Sequence, residues 1–263
     1  MEKRKVELKG LGTMSFLETA AADRAVVCLH GLGQSSLMWR DSIGRLPAGW
    51  QGFAIDMLGF GDSDKPDSGY SIGMHAETVA RFIEQLPHQH VVLAANSIGG
   101  VVALTTVVDH PGLNLRGLIL VSSGPRVADK DAASAYRDKL KTLDMDLETA
   151  RTTVRAFTHR ELEDHRWTQV ATEMVKARTA ALHETLTSSI TTDMVPRLAE
   201  IDVPTLVIQG REDRARSPED GLTIVRGVPN ARLVVLPEAG HTPMIEVPEE
   251  FQIWFDAMLG KLG

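Results

Sequence analysis

Short runs of consecutive apolar residues recur along the chain: Ala25-Val26-Val27-Cys28-Leu29, Val91-Val92-Leu93-Ala94-Ala95, Leu118-Ile119-Leu120-Val121, Thr205-Leu206-Val207-Ile208 and Leu233-Val234-Val235-Leu236. Each is short for a helix and lacks polar alternation, so each reads as a strand buried on both faces, the condition inside a parallel sheet. Helical spacing fills several gaps, as at 71–86, where Ala76, Val79, Ala80, Ile83 and Leu86 share one face. Strands alternating with helices predict an α/β fold on a mostly parallel sheet. Gly52–Asp56, and two early strands within 5–19 joined at Gly10–Gly12, bring the expectation to about eight strands. Between 126 and 195 the apolar runs disappear and helical spacing takes over. The expected organisation is a core of 1–125 and 196–263, carrying a lid of three or four helices at 126–195 after the sixth strand. Within the lid, Thr158-His159-Arg160-Glu161 has the pattern of a capping box. Ser217-Pro218 and Val247-Pro248 open later helices, with proline at the first helical position.

At 263 residues, 43% hydrophobic and 24% charged, the chain has ample material for a globular core. A net charge of -7 argues against nucleic acid as a partner, because phosphate binding favours a basic surface. No apolar run reaches the length of a membrane span, and Met1–Glu7 lacks the apolar stretch of a signal peptide. The single cysteine, Cys28, has no internal partner and sits in an apolar run, which fits burial and a reducing compartment. The expected location is the cytoplasm. His88 and His90 read as surface histidines, with no further ligands at metal spacing. No metal or organic cofactor is expected, and the expected partner is a small-molecule substrate.

In open parallel sheets, ligands gather at the carboxyl ends of the strands. His30-Gly31-Leu32-Gly33 follows 25–29, Ser97 follows 91–95, Gln209-Gly210-Arg211-Glu212-Asp213 follows 205–208, and Pro237-Glu238-Ala239-Gly240-His241 follows 233–236. Ser97 falls between a buried strand and a helix start, flanked by Ala95 and Gly99, which allow strand and helix to approach. That is the setting of a nucleophile elbow, and also that of a helix N-cap. A serine, an acid and a histidine on separate strand ends, in that chain order, suit nucleophilic catalysis. Imidazole accepts the hydroxyl proton, and a carboxylate fixes the imidazole tautomer. The N–H groups of Ile98 and Leu32 are the candidate oxyanion donors. A dinucleotide site, read from Gly31-x-Gly33 and Asp56, has Ser36 at its third glycine position and leaves Ser97, Asp213 and His241 unexplained.

These motifs, together with Asp56-Met57-Leu58-Gly59-Phe60-Gly61-Asp62-Ser63-Asp64, span nearly the whole chain. As an ordered set they resemble the α/β-hydrolases of the esterase, lactonase and C–C hydrolase kind. The resemblance implies Ser97 as nucleophile, His241 as base and Asp213, rather than Glu212, as acid. Ala95 stands where the elbow pattern has glycine. The expected activity is hydrolysis of a small to medium, fairly apolar ester or lactone, because the lid is helical and the loops show no charged cluster. Asn96, where many esterases have histidine, is similar to the C–C hydrolases that act on meta-cleavage-type diketones, which gives the alternative. Against it, the His30 loop lacks a longer Gly-Gly-Pro-Gly form, and Thr242 follows His241 in place of an aromatic residue. A ligand receptor on the same scaffold is a third reading. Asn96, Trp167 and Met194 are the expected substrate contacts, with Met174 as a further lid candidate.

Overall fold

The computed structural model describes residues 1–263. Its strands are β1 (Lys3–Leu8), β2 (Gly12–Glu18), β3 (Arg24–Leu29), β4 (Trp50–Asp56), β5 (Val91–Asn96), β6 (Leu115–Val121), β7 (Thr205–Gly210) and β8 (Ala231–Leu236). The helices are α1 (Arg40–Ile43), α2 (Ile72–Glu84), α3 (Ile98–Asp109), α4 (Lys130–Leu140), α5 (Leu147–Phe157), α6 (Asp164–Val175), α7 (Thr179–Thr191), α8 (Pro218–Gly227), α9 (Pro243–Glu246) and α10 (Pro248–Leu262). All eight strands join one sheet in the order β1-β2-β4-β3-β5-β6-β7-β8. The β1–β2 and β2–β4 pairs are antiparallel, and every later pair is parallel.

The apolar runs are buried because the sheet has a core on each face. In β3, Ala25, Val27 and Leu29 face the layer that holds α2, α3 and α7. Val26 and Cys28 face the other layer, packed with Trp39, Phe251 and Phe255. Cys28 is fully buried there, and burial pushes its thiol pKa well up. Burying one such aromatic or aliphatic side chain stabilises the fold by about 1.5–3 kcal/mol. The order reverses between β3 and β5, since β4 lies on one side of β3 and β5 on the other. A crevice opens at such a reversal, at the carboxyl ends of the two strands. The 30–34 turn and Ser97 therefore meet there.

Between β6 and β7 lie the four helices α4 to α7, with α4 packed on α7 and α5 on α6. A bridge between Arg126 and Asp193, and a Met194 N–H to Pro125 carbonyl bond of 2.9 Å, close the base of this segment. The predicted capping box at 158–161 is not formed. Thr158 ends α5, and α6 begins only at Asp164 after Glu163. Glu161 instead accepts from the Trp167 indole at 3.1 Å, a tertiary partner that outweighs the local motif. Ser35 is followed by a 3₁₀ turn at Ser36–Trp39 running into the four-residue α1. His88 is buried rather than at the surface, donating from Nε2 to the Ala22 carbonyl at 3.0 Å. No helix is long and apolar enough to cross a membrane.

Candidate active site

Ser97 is the single residue between β5 and α3, with φ 56° and ψ -122°. That backbone costs a non-glycine residue about 1–3 kcal/mol and persists only when its surroundings hold it. They do so here: Ser97 N–H donates to the Val121 carbonyl at 2.9 Å, and the Ser123 hydroxyl donates to the Ser97 carbonyl at 2.8 Å. Close approach of α3 to β3 also requires glycine at 99, where a Cβ would lie 2.5 Å from the His30 carbonyl oxygen. The Ser97 hydroxyl makes no N-cap bond to α3. It lies 2.8 Å from His241 Nε2 instead.

His241 and Asp213 reach Ser97 from the β8 and β7 ends. His241 Nδ1 lies 2.9 and 3.0 Å from the two Asp213 carboxylate oxygens. A carboxylate only accepts, so Nδ1 carries the hydrogen and Nε2 presents its lone pair to the serine. Asp213 is in turn fixed by the N–H groups of Ala215 at 2.8 Å and Arg216 at 2.9 Å. An imidazole held in this way can take a proton from the hydroxyl and return it. Ile98 N–H is the first of α3 and has no intrahelical acceptor, and the positive end of that helix faces the serine. Leu32 N–H lies in the Gly31–Gln34 turn, closed by a Gln34 N–H to Gly31 carbonyl bond of 3.1 Å. Leu32 and Ile98 both line the cavity that contains Ser97.

A buried carboxylate missed in the sequence ties the histidine loop together. Glu246, at the end of α9, is 5% exposed. Its Oε1 accepts from Thr242 N at 2.8 Å and Thr242 Oγ1 at 3.0 Å. Its Oε2 accepts from His159 N at 2.7 Å, Gly240 N at 3.0 Å and Arg160 N at 3.1 Å. His241 N–H donates to the Phe157 carbonyl at 3.0 Å. The histidine is therefore clamped to the α5–α6 connection. Gly240 has no room for a side chain, since a Cβ would sit 2.6 Å from His159 N.

Ser97 opens on a cavity of about 610 Å³ between the sheet edge and α4 to α7. Its interior is mainly apolar, with Val154, Phe157, Val170, Met174 and Leu186 contributed by the helices. Met174 thus reaches the cavity, whereas Trp167 and Met194 do not line it. Trp167, 1% exposed, packs between α5 and α6 with its indole bonded to Glu161. Met194, 3% exposed, belongs to the core, its sulfur 3.6 Å from the Thr105 hydroxyl. Asn96 does line the cavity, but its amide NH₂ is spent on the carbonyls of Val121 and His241, both at 3.1 Å. It braces the elbow against the histidine loop. The rim also differs from expectation, because Asp129 before α4, Arg214 and Arg216 in the loop after β7, and Asp220 in the first turn of α8 all line the cavity. Arg216 donates to the Arg126 carbonyl at 2.6 Å, and burial holds its guanidinium below the usual arginine pKa against the pull of Asp220 and Asp213. No group of three or more His, Cys, Asp or Glu side chains is arranged to hold a metal ion.

A mostly parallel eight-stranded sheet with a strained serine at the carboxyl end of β5 defines a class of sheet-based hydrolase. The chain belongs to the alpha/beta hydrolase family, whose model matches residues 26–251. It is 29% identical over 248 residues to the 2-hydroxy-6-oxo-6-phenylhexa-2,4-dienoate hydrolase of Comamonas testosteroni, covering 88% of this chain and 86% of the relative. It is also 29% identical over 244 residues to the pimeloyl-[acyl-carrier protein] methyl ester esterase of Neisseria meningitidis, covering 88% and 90%. Among solved structures it is similar to an esterase from Exiguobacterium antarcticum. The TM-score is 0.87 and the identity 23%, covering 95% of this chain and 96% of the other.

Proposed function

We propose that the protein is a serine hydrolase acting on a small to medium carboxylic ester or lactone, with Ser97, His241 and Asp213 as its catalytic triad. The observation that carries this reading is the hydrogen-bonded relay at 2.8 and 2.9 Å, placed at the floor of a cavity within the ~300–1,000 Å³ range of small-molecule sites. His241 Nε2 takes the Ser97 hydroxyl proton as Oγ bonds to the substrate carbonyl carbon. The oxyanion is held by the N–H groups of Ile98 and Leu32. Collapse breaks the acyl C–O bond, and the leaving oxygen takes the proton from His241. Water then gives a proton to His241 as its oxygen bonds to the acyl carbon. The C–Oγ bond breaks, Oγ regains the proton, and the acid is released. The α4 to α7 segment acts as a lid that dries the cavity. Cleavage of a C–C bond rested on Asn96, and the commitment of its amide to backbone carbonyls leaves it without a free donor for a diketone.

The test is hydrolysis of p-nitrophenyl acetate and butyrate by wild type and Ser97→Ala, with intact-mass detection of phosphonate labelling. Turnover should fall by at least about 10³-fold in Ser97→Ala, and labelling should vanish. Activity surviving in Ser97→Ala rules out the assignment. Strong preference for a meta-cleavage product over these esters turns the reading to C–C hydrolysis. Labelling without turnover of either class turns it to a receptor.

A further inference from the structure

Three carboxylates line the cavity that holds Ser97, and each is already bonded within the protein. Asp213 accepts from His241 and from the N–H groups of Ala215 and Arg216. Asp129 caps α4 by accepting from Ala132 N–H at 2.9 Å, and Asp220 accepts from Ser217 N–H at 3.0 Å at the start of α8. Two guanidinium groups, those of Arg214 and Arg216, line the same cavity, and neither forms a salt bridge. Arg216 is half-buried and spends one N–H on the Arg126 carbonyl. Its other guanidinium N–H groups have no acceptor, yet they are not sealed off from the cavity.

A cation drawn out of water without a partner is costly, and burial works against the charged form of Arg216 while Asp220 and Asp213 pull the other way from a distance. Asp129 and Asp220 sit at helix starts, where free N–H groups offset part of their charge, and neither neutralises the guanidinium by contact. A carboxylate matches the open fork, since a planar guanidinium can bond both carboxylate oxygens at once. An anion there supplies the counter-charge that no side chain supplies. The Tyr136 hydroxyl, on the cavity face of α4, also makes no hydrogen bond, but a neutral group serves a carboxylate and a carbonyl alike. The charge of the ligand is therefore decided by Arg216. That residue is held at both ends. Its backbone N–H bonds Asp213 at 2.9 Å, and its side chain reaches the Arg126 carbonyl at 2.6 Å, at the base of the α4 to α7 segment. An anion on this fixed arm holds one end of a substrate whose carbonyl lies at Ser97.

We propose that the Arg216 guanidinium is an anion-anchoring subsite of the cavity, so that the preferred ester or lactone carries a carboxylate elsewhere in the same molecule. This rests on the serine-hydrolase reading above. A site built to bond a substrate group discriminates against the analogue that lacks it, because its own polar groups are then left unpaired.

The test follows acid release from two series of esters. Methyl half-esters of C4 to C8 straight-chain dicarboxylic acids place the carboxylate on the acyl half, and acetyl esters of straight-chain ω-hydroxy acids place it on the alcohol half. Each is paired with its carboxamide, which keeps the shape and removes the charge. In wild type, at least one carboxylate ester should exceed its carboxamide about tenfold in kcat/KM, and the better series tells which half faces Arg216. Arg216→Gln keeps a donor for the Arg126 carbonyl but loses the charge, so that ratio should fall about tenfold. Arg216→Lys keeps the charge without the fork and should give an intermediate ratio. Ratios are read within each variant, so a general loss of activity does not imitate the effect. Should Arg216→Gln fail to fold, the wild-type panel and the lowered ratio in Arg216→Lys decide. The inference is overturned if no carboxylate ester is preferred, if the preference survives in the Arg216 variants, or if Arg214→Gln removes it instead. Turnover and phosphonate labelling of Ser97 without any carboxylate preference sink this subsite alone. If no ester is cleaved and Ser97 is not labelled, the hydrolase reading falls and the subsite falls with it.

Discussion

Glu246 offers the sharpest test of how the histidine is held. In Glu246→Gln the side chain keeps its shape but exchanges one acceptor oxygen for an NH₂ group. The best arrangement points the amide oxygen at the N–H groups of Gly240, His159 and Arg160, leaving NH₂ against Thr242. The Thr242 hydroxyl can turn to accept, but the Thr242 N–H is left buried and unpaired, which costs about 1–3 kcal/mol. Three charge-assisted bonds become neutral ones, losing roughly 1 kcal/mol each. The sum is about 4–6 kcal/mol, or a fall in Tm on the order of 10–20 °C for a domain of this size. Gly240 and Thr242 flank His241, so its ring should also drift from the 2.8 Å contact with Ser97. A displacement of that kind costs about 10²-fold in kcat, with KM little changed. Calorimetry and ester kinetics read both effects. Thr242→Val, which removes one hydroxyl bond, should cost only about 1 kcal/mol. A Tm within 2–3 °C of wild type would refute the hydrogen-bond reasoning. A large Tm loss with kcat within twofold would refute the role in positioning His241.

Two further predictions concern buried charge. His75 is 1% exposed, with Nε2 3.0 Å from the Thr185 hydroxyl, and burial, with the nearby His30, lowers its pKa to about 3. Below about pH 6.5 the unfolded chain takes up a proton that the folded protein refuses, so stability is lost as pH falls from 6.5 towards 3. Between pH 6.5 and 4.5 this amounts to about 2–3 kcal/mol, and His75→Gln should lose that much less than wild type in urea unfolding. Equal losses in the two proteins would refute it. Lys3 bonds to Asp56 at 2.9 Å and Asp62 at 2.6 Å, with Glu173 of α6 at 3.5 Å. Burial alone would raise the Asp56 carboxyl pKa. The Lys3 ammonium and the N–H groups of Asp62 and Ser36 outweigh it and hold that pKa below the usual range. Lys3→Met leaves Asp56 buried without its cation, while Lys176 still serves Asp62 and Glu173. The expected cost is about 2 kcal/mol, below the ~3–5 of a fully buried broken pair. A change under about 0.5 kcal/mol in urea unfolding would overturn that account.

What failed to read from sequence shares one cause. Thr158–Glu161 has the local pattern of a helix start, yet the chain uses Glu161 to bond Trp167 and ends a helix at Thr158. Trp167 and Met194 looked like lid contacts, but a helical stripe does not say which of two apolar surroundings it faces, and both turned into packing. The rim charges come from two parts of the chain, Asp129 before α4 and Arg214, Arg216 and Asp220 after β7, and the two meet only when the α4 segment folds over the β7 end. A faint signal existed for Glu246, a lone acid five residues after His241 in an otherwise apolar stretch.

The sequence by itself determined the strand count, the parallel sheet and the placement of Ser97, Asp213 and His241 at strand ends. These depend on runs of a few residues, on the period of side-chain burial and on rules of connection that act locally along the chain. Only the tertiary structure decided which polar atoms keep a partner. Asn96 and Gln34 carry the same amide two residues or fewer from the elbow or its facing turn. One amide spends its NH₂ on carbonyls 25 and 145 residues away, and the other leaves its oxygen buried and unpaired. That difference is set by contacts between distant segments, and no local pattern encodes it.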